Sequence, residues 1–260
     1  MKSLRSKVIW EIWLPVLLLV LWWFASANSS SFYFPPLATI LTEFKALWIF
    51  QNVPTEIVPS LVRLAAGFAI AIIGGVSLGL LLGSVRALEE AVRPIIEFLR
   101  ATPGVAVLPI MMLLLGIGTP MKIAIIALVS AWPVLLNTID GVRSVEPVLR
   151  DVSSSYRLSS WDRIRYIILP SAMPQIFAGA RTALAIGVVA MVISEMVGTP
   201  GGIGYFILNS QREFNIPAMW TGIIALGIVG YLLNKLFGLV ENRVLSWHKG
   251  MMAHHEGGGS

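Results

Sequence analysis

The side chains in this sequence that could do chemistry are few and lie in three places. Glu195, within GVVAMVISEMVGTPGGIG, is the only charged residue between Arg181 and Arg212. A carboxylate in so apolar a stretch is costly, so it points either to a contact in a gate or to a role at a helix end. Glu97 and Arg100 stand three apart, on one face of a helix, before the same stretch is interrupted by Pro103-Gly104 and Pro109. Such breaks free backbone carbonyls that must face protein or a wet cavity, so the pair reads either as a structural clamp or as lining of a path through the protein. The third place is a polar run, DVSSSYRLSSWDRIRYIILP at 151–170, carrying Arg157, Arg163 and Arg165. Its chemistry is the gripping of a water-soluble partner. Covalent catalysis has little to work with, because the chain has no G-x-x-x-x-G-K-[ST] phosphate loop, no HExxH and no cysteine. His248, His254 and His255 sit together in the tail, where a solvated terminus is expected rather than a metal site.

The elements that must hold these residues are membrane spans. Hydrophobic residues make up 56% of the chain and charged ones 13%, with a mean hydropathy of +0.79, more apolar material than one soluble core needs. A bilayer core about 30 Å thick asks for roughly 20 apolar residues per helix. Six segments qualify, near 8–27, 57–83, 91–116, 120–139, 172–197 and 218–240. Most are continuous runs rather than ten-residue alternating strands, so the fold class is an all-α polytopic transmembrane bundle and not a barrel. The formal charge of +5 follows topology, not nucleic-acid binding. Lys2, Arg5 and Lys7 precede the first span, Arg86 and Arg93 border a turn at 84–90, and Arg143, Arg150, Arg157, Arg163 and Arg165 crowd the loop at 140–170. Arg243 and Lys249 follow the last span, while the other side holds little beyond Lys45, Lys122 and Arg212. The bias places both termini and both loops in the cytoplasm.

Four stretches carry lesser expectations. The start combines basic residues, an apolar run and Ala25-Ser26-Ala27, the parts of a cleavable signal sequence, but the run from Val8 to Phe24 and Trp22-Trp23 fit an anchored first span better. After Phe34-Pro35-Pro36, residues 37–50 have the spacing of an amphipathic helix on the outer surface, or serve as a simple connector. Gly75, Gly79 and Gly83 form overlapping small-xxx-small repeats for close helix packing. Gly257-Gly258-Gly259-Ser260 reads as an appended linker, leaving 1–256 as one transmembrane domain.

The polar run resembles the "EAA" loop of binding-protein-dependent ABC importer permeases: EAA, three residues, Gly, nine residues, then Ile-x-Leu-Pro or a close variant. Asp151-Val152-Ser153 falls at the EAA positions, Arg157 at the glycine and Leu169-Pro170 at the end, with the spacing kept. Arg157 in place of glycine means that a tight turn there is built differently. Ser60-Leu61-Val62-Arg63 with Gly67-Phe68, Pro94 to Gly118, Glu195-Met196 through Gly202-Ile203-Gly204-Tyr205, and Trp247-His248 are similar to the nitrate, sulfonate, taurine and bicarbonate group. The resemblance implies a type I importer fold, in a bacterial inner membrane, and a permease for a small anion. It implies a second permease copy, a cytoplasmic ATPase dimer, an extracytoplasmic solute-binding protein and surrounding lipid as partners. ATP and Mg belong to the ATPase, and the chain itself needs no cofactor. The helix expected at 151–160 would dock on the ATPase through Asp151, Val152, Ser153, Tyr156, Arg157, Leu158, Ser159 and Trp161, with Leu169 and Pro170 seating its return. Glu97, Arg100, Pro103, Pro109 and Glu195 are the candidates for the translocation path. A secondary carrier would instead need a second broken span to match the break at 103–109, and a channel would need only the bundle.

Overall fold

The computed structural model describes residues 4–49, 51–197 and 200–247. Lys2, His248, Lys249, His254, His255 and the tail at 257–260 lie outside the described residues. The described chain is helical, and it divides into two compact units, one of 60–200 with 228–260 and one of 1–59 with 201–227.

The larger unit is organised around α6, Thr119–Arg143. Helix α3, Val58–Ser84, packs against it through the glycine stripe: a Cβ built at Gly75, Gly79 or Gly83 would come within 2.8, 2.5 and 2.7 Å of Val134, Thr138 and Val142. Each pair differs by 59 in residue number, so α3 and α6 run parallel in one register along rows spaced by four. In lipid there is no hydrophobic drive between helices, and backbones brought this close gain dispersion contact instead. This is the packing role expected of the small-residue repeat. The same string, Gly75-Val76-Ser77-Leu78-Gly79, spells a G-x-S-x-G elbow, but that motif acts at a strand-to-helix turn and here it lies inside an unbroken helix.

Helix α9, Leu169–Met196, lies antiparallel on α6: Gly141 meets Ala172 and Gln175, Gly179 meets Asn137, and Gly187 meets Ser130. Polar groups on this seam bond to backbone carbonyls, Thr138 Oγ1 donating to that of Val134 within α6 at 2.7 Å and Ser130 Oγ across to that of Ala183 in α9 at 3.2 Å. The chain does not enter α9 through a coil. A short helix α8, Ser160–Arg163, continues through a π turn, Ile164–Ile168, so that Ser160–Met196 forms one helical run of 37 residues. The wide turn immediately precedes Leu169-Pro170, where proline lacks the N–H that an ordinary turn requires.

The third expected span differs most from its sequence reading. Helix α4, Arg86–Ala101, follows α3 with Val85 alone between them, so the expected turn at 84–90 is replaced by a helix start. Its two-sided pattern of charges and apolar side chains is that of an interfacial helix. At Thr102-Pro103 the chain turns by 90° into a 3-10 turn, Gly104–Val107, and α5, Leu108–Leu115. Thr102 takes ψ 121°, the extended setting that a following proline imposes. Pro109 breaks nothing, because it occupies the first turn of α5, where no N–H is needed. Four helical runs are long and apolar enough to cross a bilayer, Val53–Ser84, Thr119–Arg143, Ser160–Met196 and Ile216–Val244, and five if the bent pair counts as one. Helix α1, Leu4–Ser26, contains a shorter apolar stretch, Trp13–Ser26, so the expected six spans are reached only if both it and the bent pair are counted.

The smaller unit contains α1, α2 (Leu37–Trp48), α10 (Ile203–Arg212) and the first part of α11 (Ile216–Val244). Helix α2 is the amphipathic helix expected at 37–50, with Leu37, Ile40 and Trp48 buried. The Trp48 indole donates to Thr221 Oγ1 at 2.9 Å and its ring meets Phe206 edge-on, while Trp22, Phe34 and Trp220 form a second aromatic group.

Candidate functional site

The polar loop folds as a helix, α7, Pro147–Ser155, followed by a turn and α8. Pro147 starts it from the first turn, so Asp151 lies in its middle, and the helix expected at 151–160 is shifted about one turn earlier. Its end is set by Arg157, which takes φ +51°. The Arg157 N–H bonds the Ser154 carbonyl and the Leu158 N–H that of Ser153, both at 3.0 Å, the two bonds of a Schellman cap. The position therefore keeps a glycine-like backbone with an arginine on it, at a steric cost that glycine avoids. Ser159 then caps α8, its hydroxyl accepting from the Asp162 N–H and lying 2.6 Å from the Asp162 carboxylate. Ser153 is buried, whereas Val148, Val152 and Tyr156, spaced by four, expose 65, 45 and 79% of their surface, with Trp161 exposed beyond them. The three side chains make an exposed apolar stripe along one side of α7. Leu158 is half-buried and Asp151 exposed. Beside the loop, Arg143 at the end of α6 pairs with the buried Glu89 of α4 at 2.9 Å.

At the other end of the same helices lies a group that the sequence did not reveal as a group. Glu195, in the last turn of α9, is fully buried. Its Oε1 accepts from Arg63 Nη1 at 2.9 Å, and the Ser60 hydroxyl lies 2.8 and 2.9 Å from its two oxygens. Lys122, expected on the side away from the cytoplasm, is fully buried in the first turn of α6, within electrostatic reach of Arg63 and Glu195. The register explains the meeting. Extending the α3–α6 offset brings Arg63 level with Lys122, and the antiparallel pairing brings the end of α9 to the same level. That period was readable in the glycine stripe, although its partner helix was not. Counting 1.5 Å per residue, Lys122 and Arg143 are about 32 Å apart along α6, close to the thickness of a bilayer core.

The remaining path candidates separate. Glu97 pairs with Arg93 one turn earlier at 3.0 Å, not with Arg100. Arg100 and Pro103 border a cavity of about 760 Å³, whose other walls include Trp132, Val129 and Ile193. Glu97, Pro109 and Glu195 lie outside its lining.

Residues 71–246 match the family described as the binding-protein-dependent transport system inner membrane component. The chain belongs to that family. It is thus a permease of the ABC importer class, an inner-membrane protein whose family relies on a separate ATPase and on a binding protein. The permease is 34% identical to the nitrate import permease protein NrtB of Leptolyngbya laminosa over 75% of its own length and 70% of that protein's. It is 26% identical to the taurine transport system permease protein TauC of Escherichia coli, over 94% and 92%. Its fold is that of the MetNI methionine ABC transporter in inward-facing conformations, with a TM-score of 0.67 over 77% of this chain and 98% of that one, at 20% identity.

Proposed function

We propose that this permease imports a small oxyanion, as a pair of identical copies driven by two ATP-hydrolysing subunits that hold ATP and Mg, and that the segment 147–163 is where each ATPase subunit grips it. The carrying observation is the exposed apolar stripe of α7, Val148, Val152 and Tyr156, ended by a firm Schellman cap: apolar side chains facing water on a short, well-anchored helix are suited to a groove in a soluble partner. Asp151, Arg157, Ser159 and Trp161 rim that face and supply its polar contacts. Leu169 and Pro170, with the π turn before them, carry motion of the loop into α9. The relatives that handle nitrate and taurine support an anionic solute, and the basic residues of the loop support a cytoplasmic loop with both termini on the same side.

The test is affinity purification of the permease from its host membranes under gentle extraction, with vanadate-sensitive ATP hydrolysis as the readout. An ATPase subunit co-purifies with the native chain and is lost with Val152→Asp or Tyr156→Asp. Recovery of the bundle alone, or retention of the ATPase by both variants, rejects the reading.

A further inference from the structure

The cavity of about 760 Å³ lies where α4 bends into α5, with the middle of α6 and the second half of α9 as its other walls. Its α6 lining runs from Ile125 to Leu136, between the levels of Lys122 and Arg143, so it stands at mid-membrane depth. The walls are apolar, as at Leu128, Val129, Val189 and Ile193, and Arg100 is the one charged residue among the described lining. Arg100 is exposed and makes no ion pair among the described residues, since Glu97, one turn away, is taken by Arg93. The indole N–H of Trp132, in the same lining, has no hydrogen-bond partner among them either. An unpaired guanidinium at this depth is costly against lipid and marks a solute path by default. The rest of α4 shows how it stays wet. Arg86, Glu90, Arg93, Glu97 and Arg100, spaced alternately by four and three, fall within about 80° of the helix circumference at roughly 100° per residue. Each of them is exposed, and α4 begins at the loop end of the bundle, where Glu89 meets Arg143. A charged stripe therefore leads from that end to the cavity.

We infer that this cavity receives the transported solute, and that the solute is an organic anion, an oxyanion head on an apolar body, rather than an inorganic ion such as nitrate or bicarbonate. The inference rests on the importer reading above and narrows its substrate class. Arg100 takes the head through its guanidinium fork, Trp132 adds a neutral donor, and the apolar walls cover the body. Two features decide the class. The volume lies within the roughly 300–1,000 Å³ of pockets that enclose a drug-sized ligand, so an ion as small as nitrate would leave most of it empty. A lone cation among apolar walls also suits a solute charged at one end only, because nitrate would lose its water there on every side without donors to replace it. No bond is made or broken, and the α4 stripe is the wet way out.

The chain has no cysteine, so Val189→Cys places its single thiol in the cavity wall. The permease, bound to its ATPase in lipid nanodiscs, is treated with anionic sulfonatoethyl methanethiosulfonate or its cationic trimethylammonium counterpart, and modification of the chain is followed by mass. Relative to their rates with a free thiol, the anionic reagent is expected to react at least tenfold faster than the cationic one. Sodium benzenesulfonate is expected to slow that reaction half-maximally at a concentration at least tenfold below that of sodium nitrate, with sodium chloride holding the ionic strength. Arg100→Gln abolishes the preference for the anionic reagent and Arg100→Lys keeps it, a contrast that a packing role would not produce. Should Val189→Cys fail to assemble, Ile193→Cys reads the same wall; should Arg100→Gln fail, the comparison of probes stands with Arg100 intact. Absence of modification by either reagent means a cavity sealed or filled by the second copy, and overturns the inference, as do equal reagent rates or equal protection by benzenesulfonate and nitrate. Stimulation of ATP hydrolysis by the binding protein in the native complex reports on the importer reading separately: if it is present while the protection is absent, only the organic-anion cavity fails.

Discussion

The two ends of α6 treat charge in opposite ways. At one end Arg63, Lys122 and Glu195 are sealed among three helices, and at the other, beyond the Arg143–Glu89 pair, Asp151 and Arg157 are exposed beside an apolar stripe. The buried end uses charge to hold helices together, since a buried ion with its partner removed is left with an uncompensated desolvation cost. The exposed end uses its backbone cap for order and keeps its side chains available. Charge on this protein therefore reports position in the bilayer first and role second.

The largest test of the contrast is Glu195→Ala, expected to cost about 3–5 kcal/mol by removing one partner of the buried Arg63–Glu195 pair, read as the midpoint of detergent-driven unfolding; a loss under about 1 kcal/mol, by the spread of ordinary substitutions, would erase the distinction between the ends. Between them, Gly79→Val attacks the register that connects both, because its Cβ would stand 2.5 Å from that of Thr138. Overpacking there is expected to cost about 1–3 kcal/mol, whereas Gly74→Ala, where a Cβ meets nothing within 4 Å, serves as the control. At the exposed end Arg157→Glu is expected to lower solute-stimulated ATPase activity about tenfold, equivalent to ~1.4 kcal/mol, with membrane insertion unchanged. Arg157→Gly probes the cap instead of the charge and is expected to stabilise the turn by about 1 kcal/mol by relieving its left-handed backbone. Smallest of all is Arg93→Ala, which removes an exposed pair with Glu97 and should leave the unfolding midpoint where it is.

Much of this arrangement was legible in the sequence. Apolar run length located α3, α6, α9 and α11, because lipid forces backbone pairing inside each span. The glycine repeat announced a close seam, and the spacing from Asp151 to Leu169-Pro170 located the loop. What failed was geometry set by tertiary context. Pro103 marked a break, yet nothing local stated that the chain turns by 90° there. Lys122 lies one turn into α6, and the burial of that turn depends on which helices surround it. Arg93 and Arg100 are equally placeable around Glu97 by spacing, four on one side and three on the other, and side-chain direction decided for Arg93. Arg157 signalled the loss of a glycine, but the backbone kept the left-handed shape because two main-chain hydrogen bonds enforce it.

The helical run from Ser160 to Met196 has a mechanical consequence. Its 37 residues make a rod roughly 55 Å long at 1.5 Å per residue, with Trp161 at one tip and Glu195 at the other. The π turn at Ile164–Ile168 interrupts its regular hydrogen bonding close to the loop end. A rod pivoted near one end magnifies displacement at the other, so any tilt of it about the π turn would sweep Glu195 through a longer arc than Trp161. In such a tilt the carboxylate is the farthest-travelling charged group on the rod.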